Sequence, residues 1–190
     1  MNFICIASGP SLTANDCRLA AASGCQIIAV NNSWSLIPEC HHIYAGDHEW
    51  WEQNHKIIRS DAMRWASNET TSALFGLRLF PPELQGGFNS GQRAILLAKH
   101  LGATRILLIG YDCSLSNGMH WHSDHSGVLQ NPDINLVRRW HDDFLRASAR
   151  MGKTKVINCS RHTELNAFPT GNFEEQLSLC KNSTSTVCRG

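Results

Sequence analysis

Charge is scarce in this sequence. Charged residues make up 17% of its 190 positions, and 17 Lys and Arg stand against 16 Asp and Glu, for a net charge of +1. Gripping a nucleic-acid backbone takes a concentrated basic face, so no nucleic-acid partner is expected. Long apolar runs are missing as well. None approaches the ~20 residues that span a bilayer, so no membrane partner is expected. Met1 to Ala7 carries neither a charged leader pattern nor a small-residue cleavage signal, and Phe3-Ile4-Cys5-Ile6 reads as a first strand. The cysteines at 5, 17, 25, 40, 113, 159, 180 and 188 include no C-x-x-C pair. Several lie in apolar runs, where cysteine behaves as a small hydrophobe. This speaks for a reduced, cytoplasmic chain and against zinc ribbons or disulfide frameworks. Neither G-x-G-x-x-G nor G-x-x-x-x-G-K-S/T occurs, so the dinucleotide and P-loop fingerprints are excluded. No internal repeat is visible.

What is present is a substantial apolar fraction, 42%, enough to bury a core in a chain of one-domain length. Short apolar runs alternate with stretches of helical periodicity. That pattern predicts an α/β fold: a single-domain, mainly parallel twisted sheet with helices on both faces, Rossmann-like in type. Strands are expected at Phe3–Ala7, Gln26–Val30, His42–Ala45, Arg105–Ile109 and Lys155–Asn158. Met63–Ala66 and Leu74–Phe80 are further candidates, closed by Pro81-Pro82. Helices are expected over Thr13–Ala22, Glu49–Ile58 and Gly91–Leu101, and from an Asp133 cap through Ile134, Val137, Phe144 and Met151. The domain is expected to occupy residues 1–173, with 174–190 as a polar C-terminal tail that frays.

In a parallel sheet the loops that follow the strands share one rim, and ligands of open α/β folds bind there, where strand order reverses. Ser8-Gly9, Asn31-Asn32, Gly46-Asp47, Asp112 and Asn158-Cys159-Ser160 each follow an apolar run. Such residues also end strands simply because they make turns, but their accumulation on one rim favours a site. In Ser8-Gly9-Pro10-Ser11-Leu12 the glycine lets backbone approach a ligand, and the free amides of a following helix suit an anion. Asn89-Ser90-Gly91-Gln92 opens a helix, with Ser90 as cap or phosphate contact. Asp47 and Asp112 are candidate Mg²⁺ ligands.

Taken in order, these pieces resemble the sialyltransferase-like superfamily: bacterial sialyltransferases of glycosyltransferase family 42, archaeal 6-hydroxymethylpterin diphosphokinases and related phage-encoded proteins. The resemblance is carried by Gly9-Pro10-Ser11-Leu12, Asn31, Trp50-Trp51-Glu52-Gln53, Ser90-Gly91 before a helix, Ile106–Gly110 followed by Tyr111-Asp112, and Asn158-Cys159-Ser160. It implies a nucleotide or nucleotide-sugar ligand contacted by Gly9, Ser11, Asn31 and Ser90, a homo-oligomer, and a host-cytoplasm location for a phage-encoded member. The chain departs from family 42 at Ser8, where the family has Asn, and at Gly87, where it has Arg. Tyr44 and Tyr111 are the only tyrosines, so the family's lid tyrosines have no equivalent. These departures point away from sialyl transfer itself and leave the fold and the nucleotide site as what the resemblance implies.

The densest chemical signal is His120-Trp121-His122-Ser123-Asp124-His125. Its H-x-H-x-D-H spacing is that of two-metal hydrolases, and His120, His122, Asp124 and His125 have the donor types for Zn²⁺. Such hydrolases need further ligands, and only His141, Asp142, Asp143 and His162 remain downstream. The resemblance gives the loop another role, since family 42 keeps its general-base histidine after the corresponding strand. His120, His122 or His125 would then deprotonate an acceptor, near the operating pH that suits imidazole, with Asp124 orienting a ring.

The leading expectation is therefore a nucleotide- or nucleotide-sugar-binding transferase whose rim loops hold phosphate and whose histidine loop supplies the base. A pyrophosphokinase-like phosphotransferase using Mg²⁺, a non-catalytic nucleotide-sequestering module and a metal-dependent hydrolase are the alternatives. Trp34, Trp50 and Trp51 are expected in the core rather than stacked on a base. The Arg138-Arg139 and Asp142-Asp143 clusters read as a solvated helix face. Cys5, Cys25 and Cys113 read as packing residues.

Overall fold

Strands that are apolar at every position have to be covered on both faces, and in a parallel sheet the crossover helices do the covering. The computed structural model describes residues 1–81, 89–114 and 134–185. Along the chain lie β1 (Asn2–Ile6), α1 (Ala14–Ala21), β2 (Gln26–Val30), a 3-10 helix (Asn31–Ser35), β3 (His42–Tyr44), α2 (His48–Asn54) and β4 (Met63–Ala66). Next come α3 (Glu69–Phe75), β5 (Arg78–Leu79), α4 (Ser90–His100), β6 (Arg105–Ile109), α5 (Ile134–Ser148), β7 (Lys155–Asn158) and α6 (Phe173–Ser185).

The strands form one seven-stranded sheet in the order β5-β4-β3-β2-β1-β6-β7. Every pairing is parallel. The expected α/β architecture is the observed one. From β1 the chain steps outward through β2, β3, β4 and β5, then returns through α4 to β6 on the other side of β1. Strand order therefore reverses between β1 and β6, the position where open α/β sheets take their ligands.

Side-chain alternation divides the core. Phe3, Cys5, Ile28, Val30, Ile106 and Leu108 pack with Ala94, Leu97, Phe144 and Ala147 of α4 and α5. Ile4, Ile6, Ile27, Ala29, Leu107 and Ile109 pack on the opposite face with α1, α2 and α6, through Cys17, Ala20, Trp51 and Leu177. Trp50 and Trp51 are buried, edge to face at 4.9 Å. They are core residues, as the sequence suggests. No helix among the described residues is long and apolar enough to cross a membrane.

Between β1 and α1, Thr13 and Asp16 form a reciprocal cap. The Asp16 N–H donates to Thr13 Oγ1 at 3.2 Å, and the Thr13 N–H donates back to Asp16 Oδ2 at 3.1 Å. Arg161, in the loop after β7, donates to both oxygens of the buried Asp16 at 3.0 and 2.7 Å. Burial opposes ionisation of Asp16, but the hydrogen bonds from Arg161 and Thr13 and the guanidinium charge outweigh it and hold the carboxyl below its ordinary value. A depressed carboxyl contributes stability above its unfolded pKa and loses it as pH falls through the lower folded value. Arg161→Ala leaves the buried Asp16 carboxylate with Thr13 alone. Because Arg161 is half exposed, the change is expected to cost about 1–2 kcal/mol at neutral pH and much less in acid, where Asp16 is protonated, as read by urea unfolding under both conditions.

Several local expectations are corrected. Leu74–Phe80 is not a strand: Asn68 caps α3 by accepting the Thr71 N–H at 2.9 Å, and Gly76 ends the helix at φ 64°. Only Arg78–Leu79 pairs with the sheet edge. The helix expected over Glu49–Ile58 runs from His48 to Asn54. The segment beyond Phe173 is helical to Ser185 instead of frayed, because Phe173, Leu177 and Cys180 fall at helical spacing and are buried against the sheet. Asp143 is buried rather than solvated. It pairs with Arg146, and its backbone carbonyl accepts a bond from Gln92 Nε2 at 3.0 Å.

Candidate functional site at the carboxyl edge

The turn after β1 is pressed onto the turn after β6. The Ala7 N–H donates to Ile109 O at 3.0 Å, and the Gly9 N–H donates to Gly110 O at 2.8 Å. A Cβ on Gly9 would stand 2.5 Å from that oxygen and 2.6 Å from Asp112 Cγ, so only glycine fits. The open face of Gly9 thus admits the Asp112 carboxylate. Ser11 completes the clip, its N–H donating to Oδ2 at 2.8 Å and its hydroxyl to Oδ1 at 2.6 Å. Burial pushes the Asp112 carboxyl up. The Ser11 hydroxyl and N–H bonds and the nearby charge of His162 partly offset it.

The turn after β2 is different in kind. Asn31 has φ 48° and Cys113, after β6, has φ 49°. These are the only described non-glycine residues with positive φ; Asn31 directly follows β2 and Cys113 comes four residues after β6, both at this rim. Local strain of this sort collects at binding sites, because the surroundings must be built to hold it. Asn31 Oδ1 is buried and has no hydrogen-bond partner among the described residues, an arrangement native structures rarely leave without a purpose. Its neighbour Asn32 is occupied, accepting the Trp50 Nε1–H at 2.8 Å. Cys113 is not an activated nucleophile: burial, then the Asp112 and Glu164 charges, push its thiol up to about 12.

Over the turn after β3 sits the start of α4. Asn89 caps the helix by accepting the Gln92 N–H at 3.0 Å. The Ser90 hydroxyl accepts the Gly46 N–H at 3.1 Å, while Ser67, after β4, donates to Gly46 O at 2.7 Å. Gly91 lies against the Tyr111 ring, whose hydroxyl donates to Gly91 O at 3.1 Å. One helix start is thereby fixed to the ends of β3 and β6. Asn158, at the end of β7, donates to Tyr111 O at 3.3 Å, and Ser160 Oγ accepts the Tyr111 N–H at 2.8 Å.

Gly9, Ser11, Asn31, Asn32, Asp47, Ser90, Gly91 and Asp112 therefore lie along one rim, and many are held to one another across the strand ends. Ser8 belongs to the same turn as Gly9, and Asp47 precedes the first residue of α2. The histidine run His120, His122, Asp124 and His125, and Gly87, lie outside the described residues. Among the described residues no three His, Cys, Asp or Glu side chains gather in a way that could hold a metal ion.

Arg93 is absent from the sequence-based candidates. It is 1% exposed in the first turn of α4, and its charge reaches the buried Tyr44 hydroxyl, as does that of Asp47. The signal was a single cation inside the apolar stretch from Gly91 to Leu97. His162, weighed in the sequence only as a downstream ligand for the histidine run, is brought beside Asp112 by the fold alone. At the opposite, amino edge lies a cavity of about 600 Å³ lined by Cys40, His41, Arg59, Ser60 and Asp61.

No protein-family model matches the chain, and no curated protein matches it in sequence. Among solved structures, thiamin pyrophosphokinase from Geobacillus thermodenitrificans is similar at 14% identity and a TM-score of 0.41, over 79% of this chain. The chain spans 57% of that protein's length. "Putative oxidoreductase from Escherichia coli str. K-12" is similar at 13% identity and a TM-score of 0.26, over 98% of this chain and 70% of that one.

Proposed function

We propose that the chain binds a nucleotide or nucleotide sugar at the carboxyl edge of its sheet and acts as a transferase of the group that nucleotide carries. The observation that carries this reading is Asn31: a left-handed asparagine with a buried, unsatisfied carbonyl oxygen, in the turn beside β1, next to the strand-order reversal. A base amino group or ribose hydroxyl would satisfy that oxygen. The Ser90 helix start, which favours negative charge, lies along the same rim and suits phosphate. The resemblance to the sialyltransferase-like superfamily supports the same assignment for Asn31 and Ser90, whereas the Gly9 and Ser11 contacts it implies are taken by Gly110 and Asp112.

Within this reading His120, His122 or His125 supplies the general base, with Asp124 as its orienting partner. Asp112 does not bind phosphate. It braces the glycine turn through Ser11, and a carboxylate there would repel an anion seated on the same atoms. Asp47, just before α2 on the same rim, would be the carboxylate to meet a Mg²⁺ carried in on the phosphates.

Calorimetric titration with nucleoside mono- and diphosphates and nucleotide sugars tests the reading. Wild type is expected to bind one of these saturably, and Asn31→Gly to bind it at least about tenfold more weakly, with a Tm unchanged or raised as backbone strain is relieved. Binding without product formation would reduce the function to sequestration. Tight zinc near two per chain, with no nucleotide binding, would contradict the reading in favour of hydrolysis by the histidine run.

A further inference from the structure

The cavity at the amino edge lies where β2, β3 and β4 begin. Its volume of about 600 Å³ is within the range of small-molecule sites. Hydrogen bonds brace its walls. The Ser60 hydroxyl donates to Pro38 O at 2.6 Å and accepts the Ala62 N–H at 3.3 Å, while Arg64 Nη2 donates to Ser60 O at 3.4 Å. Ser60 is thereby fixed between Arg59 and Asp61, which both line the cavity. Only Ser60 separates these opposite charges, yet among the described residues neither side chain makes a hydrogen bond or an ion pair. His41, just before β3, is held as firmly. Its N–H donates to Ile27 O at 3.1 Å, and its carbonyl accepts the Met63 N–H at 2.9 Å. The Ile27 N–H donates to His41 Nδ1 at 3.1 Å, so the neutral ring carries its proton on Nε2, as a donor.

We propose that this cavity is a binding site for a free α-amino acid with an apolar side chain, such as leucine. The Arg59 guanidinium and the His41 ring N–H supply the donors that a carboxylate needs. Asp61, with Glu39 also in the lining, supplies carboxylates for the ammonium group. A simple anion or a simple cation would match half of this set and meet a like charge from the other half. Pro38, Ala62 and Met63 line the same cavity, and an apolar side chain laid against them leaves water. The site lies at the opposite ends of the strands from the rim, so it stands whether or not the rim takes a nucleotide.

The test titrates the full, isotope-labelled chain with leucine and follows its amide resonances. Wild type is expected to bind saturably, with a Kd at or below about 1 mM and the shifts centred on His41, Arg59 and Asp61. Isocaproate lacks the amine of leucine and isoamylamine lacks its carboxylate, and each should bind at least about tenfold more weakly. Glycine, without the apolar side chain, should also lose about tenfold. Arg59→Met and Asp61→Asn are changes at exposed positions that the fold tolerates, and each should weaken leucine about fivefold or more. No saturable response up to about 10 mM leucine, shifts confined to the carboxyl rim, equal binding of isocaproate or isoamylamine, or undiminished binding in either variant would overturn the proposal.

Discussion

Gly9→Ala should destabilise the protein by at least about 3 kcal/mol, far beyond the usual cost of a small surface substitution. The new methyl group would press against Gly110 O and the Asp112 carboxylate at 2.5–2.6 Å. One neighbour is backbone, and the other is pinned by Ser11, so neither yields cheaply. Gly110→Ala should cost at least as much. It combines φ 71° with a Cβ 3.1 Å from the Ala7 carbonyl carbon and nearer still to its oxygen. Gly102 is the control. It also has positive φ, 89°, but nothing within 4 Å, so Gly102→Ala should cost only about 1 kcal/mol. Urea unfolding of the three variants checks the ranking. If Gly9→Ala proved no worse than Gly102→Ala, the turns after β1 and β6 would not be pressed together, and the rim would be built differently.

The second large effect is acid lability from His42. This side chain opens β3, 3% exposed, with its Nδ1 accepting the Trp65 Nε1–H at 3.2 Å. Burial, then the charges of His41 and Arg78, lower its pKa from 6.5 to about 4. Above the unfolded value neither state binds the proton. Below it the unfolded chain takes one up while the folded chain refuses until about pH 4. Stability should therefore fall through that window, by about 3 kcal/mol in all. Asp112 works in the opposite sense at lower pH, because its raised carboxyl takes up a proton more readily folded than unfolded. His42→Gln, which keeps an acceptor for Trp65 but does not titrate, should flatten the loss. A variant as acid-sensitive as wild type would show that the lability arises elsewhere.

The sheet was legible because its central strands β1, β2 and β6 are apolar after their first residue and are soon followed by Gly, Asn or Ser. Ile4-Cys5-Ile6 and Leu107-Leu108-Ile109 admit no other burial. Two elements were misread where local composition conflicted with capping or packing. In α3 the Asn68 cap and the Gly76 stop were both in the sequence, but the apolar residues after Leu74 outweighed them in the strand reading. In α6 the polar residues masked an apolar stripe of Phe173, Leu177 and Cys180.

The rim was legible as a set of turns, but not the division of labour within it. That division depends on partners distant in sequence: Ser11 on Asp112, Gly46 on Ser90, Asn32 on Trp50. Only those pairings separate Asn31, whose carbonyl is unsatisfied among the described residues, from neighbours committed to holding the rim together. Arg93 escaped notice and His162 was weighed only as a downstream ligand for the same reason, since their importance comes from what the fold sets beside them.

The most direct test of the central claim is a crystal structure of the full chain grown with the nucleotide that binds best in calorimetry. The account predicts phosphate at the start of α4, with a polar group of the nucleotide within hydrogen-bonding distance of Asn31 Oδ1. A nucleotide seated instead in the amino-edge cavity between Cys40 and Arg59, with the carboxyl edge unchanged, would contradict it.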